Sequence, residues 1–167
     1  SLIEDCSQAH GAEITINKKS YSIGQFGDIN TWSFCQDKII STGGEGGMIT
    51  TNNREYYEKI WSFKDHGKSL SKLKENRSYV EYRYIHDQLG SNFRITEMQS
   101  AIGRIQLKKL KEWRNIRKKN ATILNDLLKS NVLVRIPFPE KQIIHAWYKF
   151  NCFLNLEFLK EDWNRKR

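Results

Sequence analysis

The stretch that decides the fold is WSFCQDKIISTGGEGG, residues 32–47. An apolar segment that includes Ser33 comes first, Lys38 follows five residues later, and a glycine-rich turn closes the stretch. This order is typical of a lysine that lies on a loop beside a bound anion. Such a lysine can form a Schiff base with a carbonyl compound, because a desolvated ammonium loses its proton readily and leaves a nucleophilic amine. The alternative is a solvated surface lysine, which most lysines are.

The glycines at residues 43–47 do not form a nucleotide loop. A P-loop has Lys-Ser or Lys-Thr directly after its glycines, and a dinucleotide fingerprint has GxGxxG between a strand and a helix. Here Lys38 precedes the glycines, and the glycines lead into a predicted strand. The pattern favours a loop kept small for the close approach of a cofactor. A flexible hairpin is the alternative.

Composition places the chain among globular proteins with α/β architecture. Its 167 residues are 38% hydrophobic with two prolines, which excludes a disordered or fibrous chain and allows one sizeable core. The apolar runs are too short to cross a membrane, and residues 1–5 lack the layout of a signal peptide. The chain starts without Met, as if inside a strand, and we expect both ends to be cuts in a longer protein. Three widely spaced cysteines predict reduced thiols in a cytoplasmic protein and no metal site.

The net charge of +9 raises the question of nucleic acid. Much of the excess lies in residues 108–119, where a helix would spread the charges over most of its circumference. Leu107, Leu110, Trp113 and Ile116 would form an apolar stripe on that helix. This pattern favours a solvated helix face over a nucleic-acid surface.

Asp5 lies where a buried strand ending at Leu2-Ile3 gives way to a turn. Ligands collect at the carboxyl ends of strands in open α/β sheets, so a carboxylate at this point is well placed for chemistry. If residues 6–12 form a helical turn, Asp5 and Gln8 share one face and can meet one ligand. A helix N-cap is the alternative role for Asp5.

The remaining elements follow from periodicity and punctuation. Thr96 to Gln99 is a capping-box pattern, so a helix is predicted from Thr96, with a bend near Gly103 or Leu107, as far as Lys129. The other predictions are exposed turns at 18–19 and 24–28, strands at 29–34, 48–51 and 146–156, a helix at 54–63 and a long loop at 65–87.

Taken together, the motifs resemble those of the DegT and StrS type of sugar aminotransferases, which are fold-type I enzymes that use pyridoxal phosphate. In order and spacing they cover nearly the whole chain, and the chain corresponds to the middle two-fifths of a family member. The matching motifs are EDCSQAHG (4–11), GD (27–28), SF (33–34) with Lys38, GEGG (44–47), DHG (65–67), LGSNFR (89–94) and EMQSAIG (97–103).

The resemblance implies an α/β fold in which residues 1–95 belong to the cofactor-binding large domain, with a mixed, mostly parallel sheet and flanking helices. Residues 96–130 would be a long helical connection, and residues 131–167 would begin a small α+β domain. Lys38 would bind the cofactor covalently and move the proton between substrate and cofactor carbons.

The same resemblance implies four further cofactor contacts and no metal. Asp5 would face the pyridine nitrogen, and Gln8 would lie against the ring and its phenolic oxygen. Ser33 would bind the phosphate, and Asn92 would reach the phosphate of the neighbouring subunit, so the site would need a homodimer. The implied substrates are glutamate and a nucleotide-linked keto sugar, with a preference for 4-keto sugars; no nucleic-acid or membrane partner is expected.

The chain departs from the family pattern at two points, and two rival functions use the same scaffold. Glu45 follows Lys38 by seven residues instead of the six of many relatives, and the family's first phosphate loop and ring-stacking aromatic fall before Ser1. One rival is a sugar dehydratase, in which a histidine replaces the lysine. The other is a regulatory or binding protein without turnover, which is expected to have lost Asp5 or Lys38.

Overall fold

A computed structural model describes residues 1–74, 84–160 and 163 of the chain. The strands are β1 (Ile3–Asp5), β2 (Glu13–Ile16), β3 (Lys19–Ser22), β4 (Ile29–Ser33), β5 (Gly47–Thr50), β6 (Val134–Arg135), β7 (Ile143–Ile144) and β8 (Phe153–Leu154). The helices are α1 (Arg54–Lys64) and α2 (Glu97–Leu128), and single 3₁₀ turns span Lys72–Lys74 and Leu156–Phe158. None of the helices within the described ranges is long and apolar enough to cross a membrane.

The sheet that carries the candidate site has the strand order β1-β4-β5. β1 runs parallel to β4, with Asp5 opposite Thr31, whereas β4 runs antiparallel to β5, with Ser33 opposite Gly47. The carboxyl ends of parallel neighbours meet at the same edge of a sheet, so Asp5 and Ser33 lie at one edge. This mixed sheet, with helices α1 and α2, confirms the predicted α/β class.

A hairpin of β2 and β3 lies where the sequence predicted only an exposed turn. Asn17 and Lys18 both have positive φ, 50° and 65°, as the two central residues of a type I′ turn do. The usual sequence signal of this turn is Asn-Gly, and lysine in place of glycine hides it. β7 pairs with the other side of β2, which brings residues 143–144 next to residues 13–14.

Helix α2 begins as the capping box predicts. The Thr96 hydroxyl accepts a hydrogen bond from the Gln99 backbone N–H at 3.2 Å, and the Gln99 side chain accepts from the Thr96 N–H at 3.0 Å. Along the helix the lysines between residues 108 and 119 are exposed, as a solvated face requires. The predicted apolar stripe is only partly confirmed, because Leu110 is half-buried whereas the side chain of Leu107 is 60% exposed.

We predict that Thr96→Ala in the full-length protein lowers the free energy of unfolding by about 1 kcal/mol, because the helix loses its cap. The matched control is Thr122→Ala, at an exposed position within α2 where alanine is the better helix former. Urea denaturation of both variants measures the difference. Equal stability of Thr96→Ala and wild type contradicts the capping role.

The core lies directly behind the candidate site. Ala12, Ile39 and Ala146 are buried and form one cluster, against which Leu110 and Tyr148 pack. Ile39 is the immediate neighbour of Lys38 in the chain. The loop that carries the lysine is therefore held against α2 and against the segment around residue 146.

The strand predicted for residues 146–156 is wrong. Only Phe153–Leu154 within it forms a strand, paired with β6. Trp147 has φ 52°, in the left-handed region, which breaks an extended chain. The helix predicted at 54–63 is confirmed as α1, whereas the centre of the loop predicted at 65–87, residues 75–83, lies outside the described residues. The proposed boundaries at residues 95 and 130 stay predictions.

Candidate active site

Asp5 ends β1 and is held by the turn that follows it. Its Oδ1 accepts a hydrogen bond from the Ser7 backbone N–H at 3.0 Å. The pKa of Asp5 lies below its ordinary value because Ser7 hydrogen-bonds to the carboxylate, with the positive charge of Lys38 adding a smaller effect in the same direction. Asp5 therefore both caps a turn and presents an ionised carboxylate towards Lys38, so its two alternative roles are compatible.

Gln8 lies in an exposed turn three residues after Asp5. Residues 6–12 form two successive tight turns instead of a helical turn, in which Ala9 N–H donates to the Cys6 carbonyl and Ala12 N–H to the Ala9 carbonyl. The helical face that Asp5 and Gln8 would have shared is therefore absent, and Gln8 lies in the turn that follows β1.

Ser33 ends β4 at that edge. Its Oγ accepts a hydrogen bond from the Cys35 backbone N–H at 3.4 Å. Within the described ranges no acceptor takes the Ser33 hydroxyl hydrogen, so the hydroxyl can donate to a bound anion. The turn continues with a hydrogen bond from Lys38 N–H to the Cys35 carbonyl at 3.0 Å, which places Lys38 beside Ser33.

The Lys38 side chain is 15% exposed and contacts two polar groups. Its Nζ lies 3.5 Å from Tyr148 Oη and 3.7 Å from Asp37 Oδ1. Burial lowers the pKa of Lys38, but the hydrogen bond with Tyr148 and the negative charge of Asp37 outweigh that effect and keep the pKa above its ordinary value. Lys38 is thus a partly buried ammonium with fixed partners, unlike a freely solvated surface lysine.

His10 lies near Lys38 in the turns that follow β1. Its ring is buried and stacks on the rings of Trp32 and Phe34, with centroid distances of 5.8 Å to each. Burial lowers the pKa of His10, and the charge of Lys38 acts in the same direction. The ring is therefore neutral at pH 7, and Nδ1 accepts from the Ile40 N–H at 3.4 Å.

The glycine loop packs against α2. A Cβ added to Gly43 would lie 3.1 Å from the Ile102 side chain, and one added to Gly46 would lie 2.3 Å from Thr42 Oγ1. Gln99 Nε2 donates to the Glu45 carbonyl at 2.7 Å across the same contact. Gly43 and Gly46 thus allow the close approach of α2 and of the loop itself, whereas Gly44 faces open space and the approach of a cofactor stays a prediction.

Asn92 lies next to the C-terminal end of α1. It forms a β-bridge with Asp65, whose carboxylate binds Lys68 and Arg94 at 3.0 and 2.9 Å. Burial raises the pKa of Asp65, but these two cations bring it below its ordinary value. The DHG motif of residues 65–67 therefore fixes the exposed Asn92, and no described contact joins Asn92 to Lys38 within the chain.

Two residues that contact Lys38 were missed by the sequence analysis. Tyr148 is 110 positions away from Lys38 and no spacing rule connects the two. Asp37 is adjacent to Lys38, but a single carboxylate next to a lysine is not a motif. An open groove of about 600 Å³ lies on the α2 side of the lysine and is lined by Lys38, Ser41, Gln106, Trp113 and Arg117 among others. Asp5, Gln8 and Ser33 do not line this groove.

Comparison with known proteins shows the family of the chain. Residues 1–164 match the DegT/DnrJ/EryC1/StrS aminotransferase family. The chain is 34% identical over 149 residues to a GDP-perosamine synthase of Escherichia coli O157:H7, covering 88% of this chain and 36% of the relative. It is 36% identical over 159 residues to an uncharacterised protein of Methanocaldococcus jannaschii, covering 95% of this chain and 40% of the relative.

The fold agrees with the sequence match. The crystal structure of an aminotransferase from Psychrobacter cryohalolentis superimposes with a TM-score of 0.85 and 40% sequence identity, covering 98% of this chain and 42% of that structure. The chain thus spans about two-fifths of the length of these relatives. Because the match extends over nearly all of its residues, the chain belongs to the DegT/DnrJ/EryC1/StrS aminotransferase family.

Proposed function

We propose that this chain forms part of the active site of a pyridoxal-phosphate-dependent sugar aminotransferase, with Lys38 as its catalytic amine. The observation that carries the proposal is that Asp5 and Ser33 end the parallel neighbours β1 and β4, while Lys38 lies on the turn that follows Ser33 and its charge helps to lower the pKa of Asp5. Asp5, Ser33 and Lys38 stand in the motifs that carry the family resemblance, although the loop from Lys38 to Glu45 is one residue longer than in many relatives.

The chemistry of these side chains fits the cofactor. Pyridoxal phosphate, when bound, supplies an aldehyde carbon for an amine, a pyridine ring that withdraws electrons and a phosphate anion. Lys38 offers the amine, Asp5 an anion for a protonated ring nitrogen, and Ser33 a hydroxyl donor for the phosphate. All three of these contacts come from residues that the structure describes.

Each residue has a distinct task. Lys38 would bind the cofactor and would carry a proton between the substrate and cofactor carbons. Asp5 would hold the proton on the pyridine nitrogen, since its carboxylate is ionised at neutral pH. Gln8, exposed in the turn after β1, would support the ring and its phenolic oxygen. Ser33 would donate to the phosphate, and Asn92 would bind the phosphate of the second subunit in a homodimer.

The proposed acceptor is a nucleotide-linked keto sugar, with a preference for 4-keto sugars, and the proposed amino donor is glutamate. The name of the GDP-perosamine synthase relative supports a nucleotide-linked sugar. The net charge of +9 suits an anionic substrate. The fragment has the lysine that the dehydratase branch replaces and has both Asp5 and Lys38, which disfavours the two rival functions.

The test is to incubate the full-length protein with pyridoxal phosphate, glutamate and a panel of nucleotide-linked keto sugars. Mass spectrometry is expected to show an aminated sugar together with 2-oxoglutarate. A deoxygenated sugar without nitrogen would favour the dehydratase, and cofactor binding without any product across the panel would favour the regulatory protein. Either result contradicts the proposed reaction.

A complementation experiment tests the shared site. If Asn92 serves the partner's cofactor, a heterodimer of Asn92→Ala and Lys38→Ala chains has both defects in one site and leaves the other site intact. Mixing two individually weak variants is therefore expected to restore activity. Asn115→Ala, on the exposed surface of α2, is the matched control and should be active alone.

The outcome that contradicts this arrangement is the absence of recovery although subunit exchange is demonstrated, for instance by mixed-tag pull-down. Asn92 would then act within its own chain or only shape the turn before Thr96.

A further inference from the structure

Tyr148 reaches the catalytic lysine from the other end of the chain. Lys38 Nζ donates to Tyr148 Oη at 3.5 Å and lies 4.8 Å from the centre of the Tyr148 ring. The Tyr148 hydroxyl in turn donates a hydrogen bond to Asp37 Oδ2. Because the hydroxyl gives its hydrogen to Asp37, its oxygen lone pairs are available to the ammonium of Lys38. The three side chains form a closed set of contacts.

The backbone around Tyr148 is fixed from α2. The Arg117 guanidinium donates to the carbonyls of Trp147 and Tyr148 at 3.1 and 3.4 Å. Two carbonyls held by one cation leave little freedom to the peptide unit between them. The backbone that carries the Tyr148 side chain is therefore held by α2.

Trp147 has a strained conformation that sets the direction of Tyr148. Its φ of 52° is unfavourable for a bulky residue and persists only when the surroundings impose it. The surroundings are aromatic, because the Trp147 ring is buried against Phe138 at 5.1 Å, His145 at 4.6 Å and Phe150 at 6.0 Å. Strained residues of this kind cluster at functional sites, which points to a role for the neighbouring side chain.

We propose that Tyr148 is a positioning residue for Lys38, which together with Asp37 holds the lysine ammonium in a fixed resting place at the edge of the site. An ammonium has no lone pair and cannot attack a carbonyl. Lys38 must therefore give one proton to solvent and leave Tyr148 before its amine reacts. A role of Tyr148 in amino transfer rests on the proposed function, whereas the contact of Tyr148 with Lys38 does not.

Several titratable groups lie near Lys38 besides Tyr148, and Arg117 of α2 lines the same groove as Lys38. Asp37 and Cys35 lie on the same loop, and Asp5 and His10 approach from the end of β1 and the turns that follow it. Burial lowers the pKa of Lys38, and Tyr148 and Asp37 raise it. Removal of the Tyr148 hydroxyl leaves the burial in place and takes away a partner of the ammonium. The pKa of Lys38 is therefore expected to fall in Tyr148→Phe.

The experiment is competitive labelling of the full-length protein, without added cofactor, by trace acetic anhydride over a range of pH. Peptide mass spectrometry gives the acetylation of Lys38 relative to Lys108, which is exposed on α2. Below the pKa of the lysine, the fraction of free amine increases as the pKa falls, so Lys38 in Tyr148→Phe should label about threefold faster than in wild type.

Two further variants make the result specific. Tyr21→Phe is the matched control, because Lys19 Nζ lies 5.1 Å from the centre of the Tyr21 ring. A contact with the ring alone does not depend on the hydroxyl, so the labelling of Lys19 should be unchanged in this variant. Asp37→Asn, whose side chain is 53% exposed in wild type and so tolerates the change, should also accelerate Lys38 labelling. Unchanged or slower labelling of Lys38 in folded Tyr148→Phe and Asp37→Asn overturns the proposal.

This readout separates the two proposals, since labelling needs neither cofactor nor sugar. If Lys38 labels faster in Tyr148→Phe but the wild-type protein transfers no amino group, the contact is upheld and the proposed function is rejected. If Lys38 labelling is unchanged in Tyr148→Phe but the wild-type protein has full aminotransferase activity, the proposed function is upheld and the contact is rejected.

Discussion

Lys38→Ala is expected to reduce amino transfer by the full-length protein by at least about 10⁴-fold, because one side chain supplies both the nucleophile and the proton carrier. The described geometry supports this expectation, since Lys38 is partly buried and held by Tyr148 and Asp37. Lys38→Arg should be equally inactive, because a guanidinium keeps the charge but is not deprotonated in proteins. Steady-state rates with glutamate and an accepted sugar measure the effect.

The matched control for that variant is Lys108→Ala, which removes an exposed lysine from α2 and should leave the rate unchanged. A Lys38→Ala protein that turns over at a rate within tenfold of wild type would mean that another lysine carries the chemistry. The loop at residues 32–47 would then be a structural connection to α2 and nothing more.

Asp5→Asn should keep cofactor binding but lose about a hundredfold in turnover, the size of effect seen when one preorganised electrostatic partner is removed. The amide cannot hold the proton on the pyridine nitrogen, although it can still accept the hydrogen bond from Ser7. Absorbance titration with pyridoxal phosphate separates binding from rate. Asp126→Asn, an exposed change on α2, is the control.

The pKa of Asp5 also fixes the sign of a pH effect. Because Ser7 lowers that pKa below its ordinary value of 3.8, the carboxylate stays ionised as the pH falls through the neutral and mildly acidic range. Wild-type turnover should thus show no loss attributable to Asp5 until the pH is below that value. Near-normal rates in Asp5→Asn would reduce Asp5 to a cap of the Ser7 turn.

The elements that were predicted correctly are those specified by neighbouring residues. The Thr96 capping box fixed the start of α2 because both of its hydrogen bonds lie within four residues. Asp5 at the end of a strand, Ser33 in the next strand and Lys38 on the loop after it were likewise predicted from their immediate neighbours in the sequence. The roles of these three residues come from the family motifs and stay predictions.

The elements that were missed depend on distant contacts or on unusual backbone conformations. The aromatic run from Ala146 favours a strand on propensity, yet packing against Phe138 holds Trp147 at positive φ and interrupts it. The contact of Tyr148 with Lys38 follows from that interruption. No periodicity along the sequence carries this information.

The glycine loop also makes a contact that depends on a distant residue. Gly43 lies against Ile102 of α2, more than fifty residues later in the chain, and Gly46 lies against Thr42 of the loop itself, whereas Gly44 faces open space. The glycines indicated a close approach without indicating these partners, and the approach of a cofactor stays a prediction.

The most direct test of the central claim is to reduce the full-length protein with borohydride in the presence of pyridoxal phosphate and to map the modified peptide. Reduction fixes the cofactor permanently to the amine that binds it. We predict that the label is found on Lys38, in the peptide that includes residues 32–47. A label on another lysine, such as Lys64 or Lys68, would contradict the assignment of Lys38 as the catalytic amine.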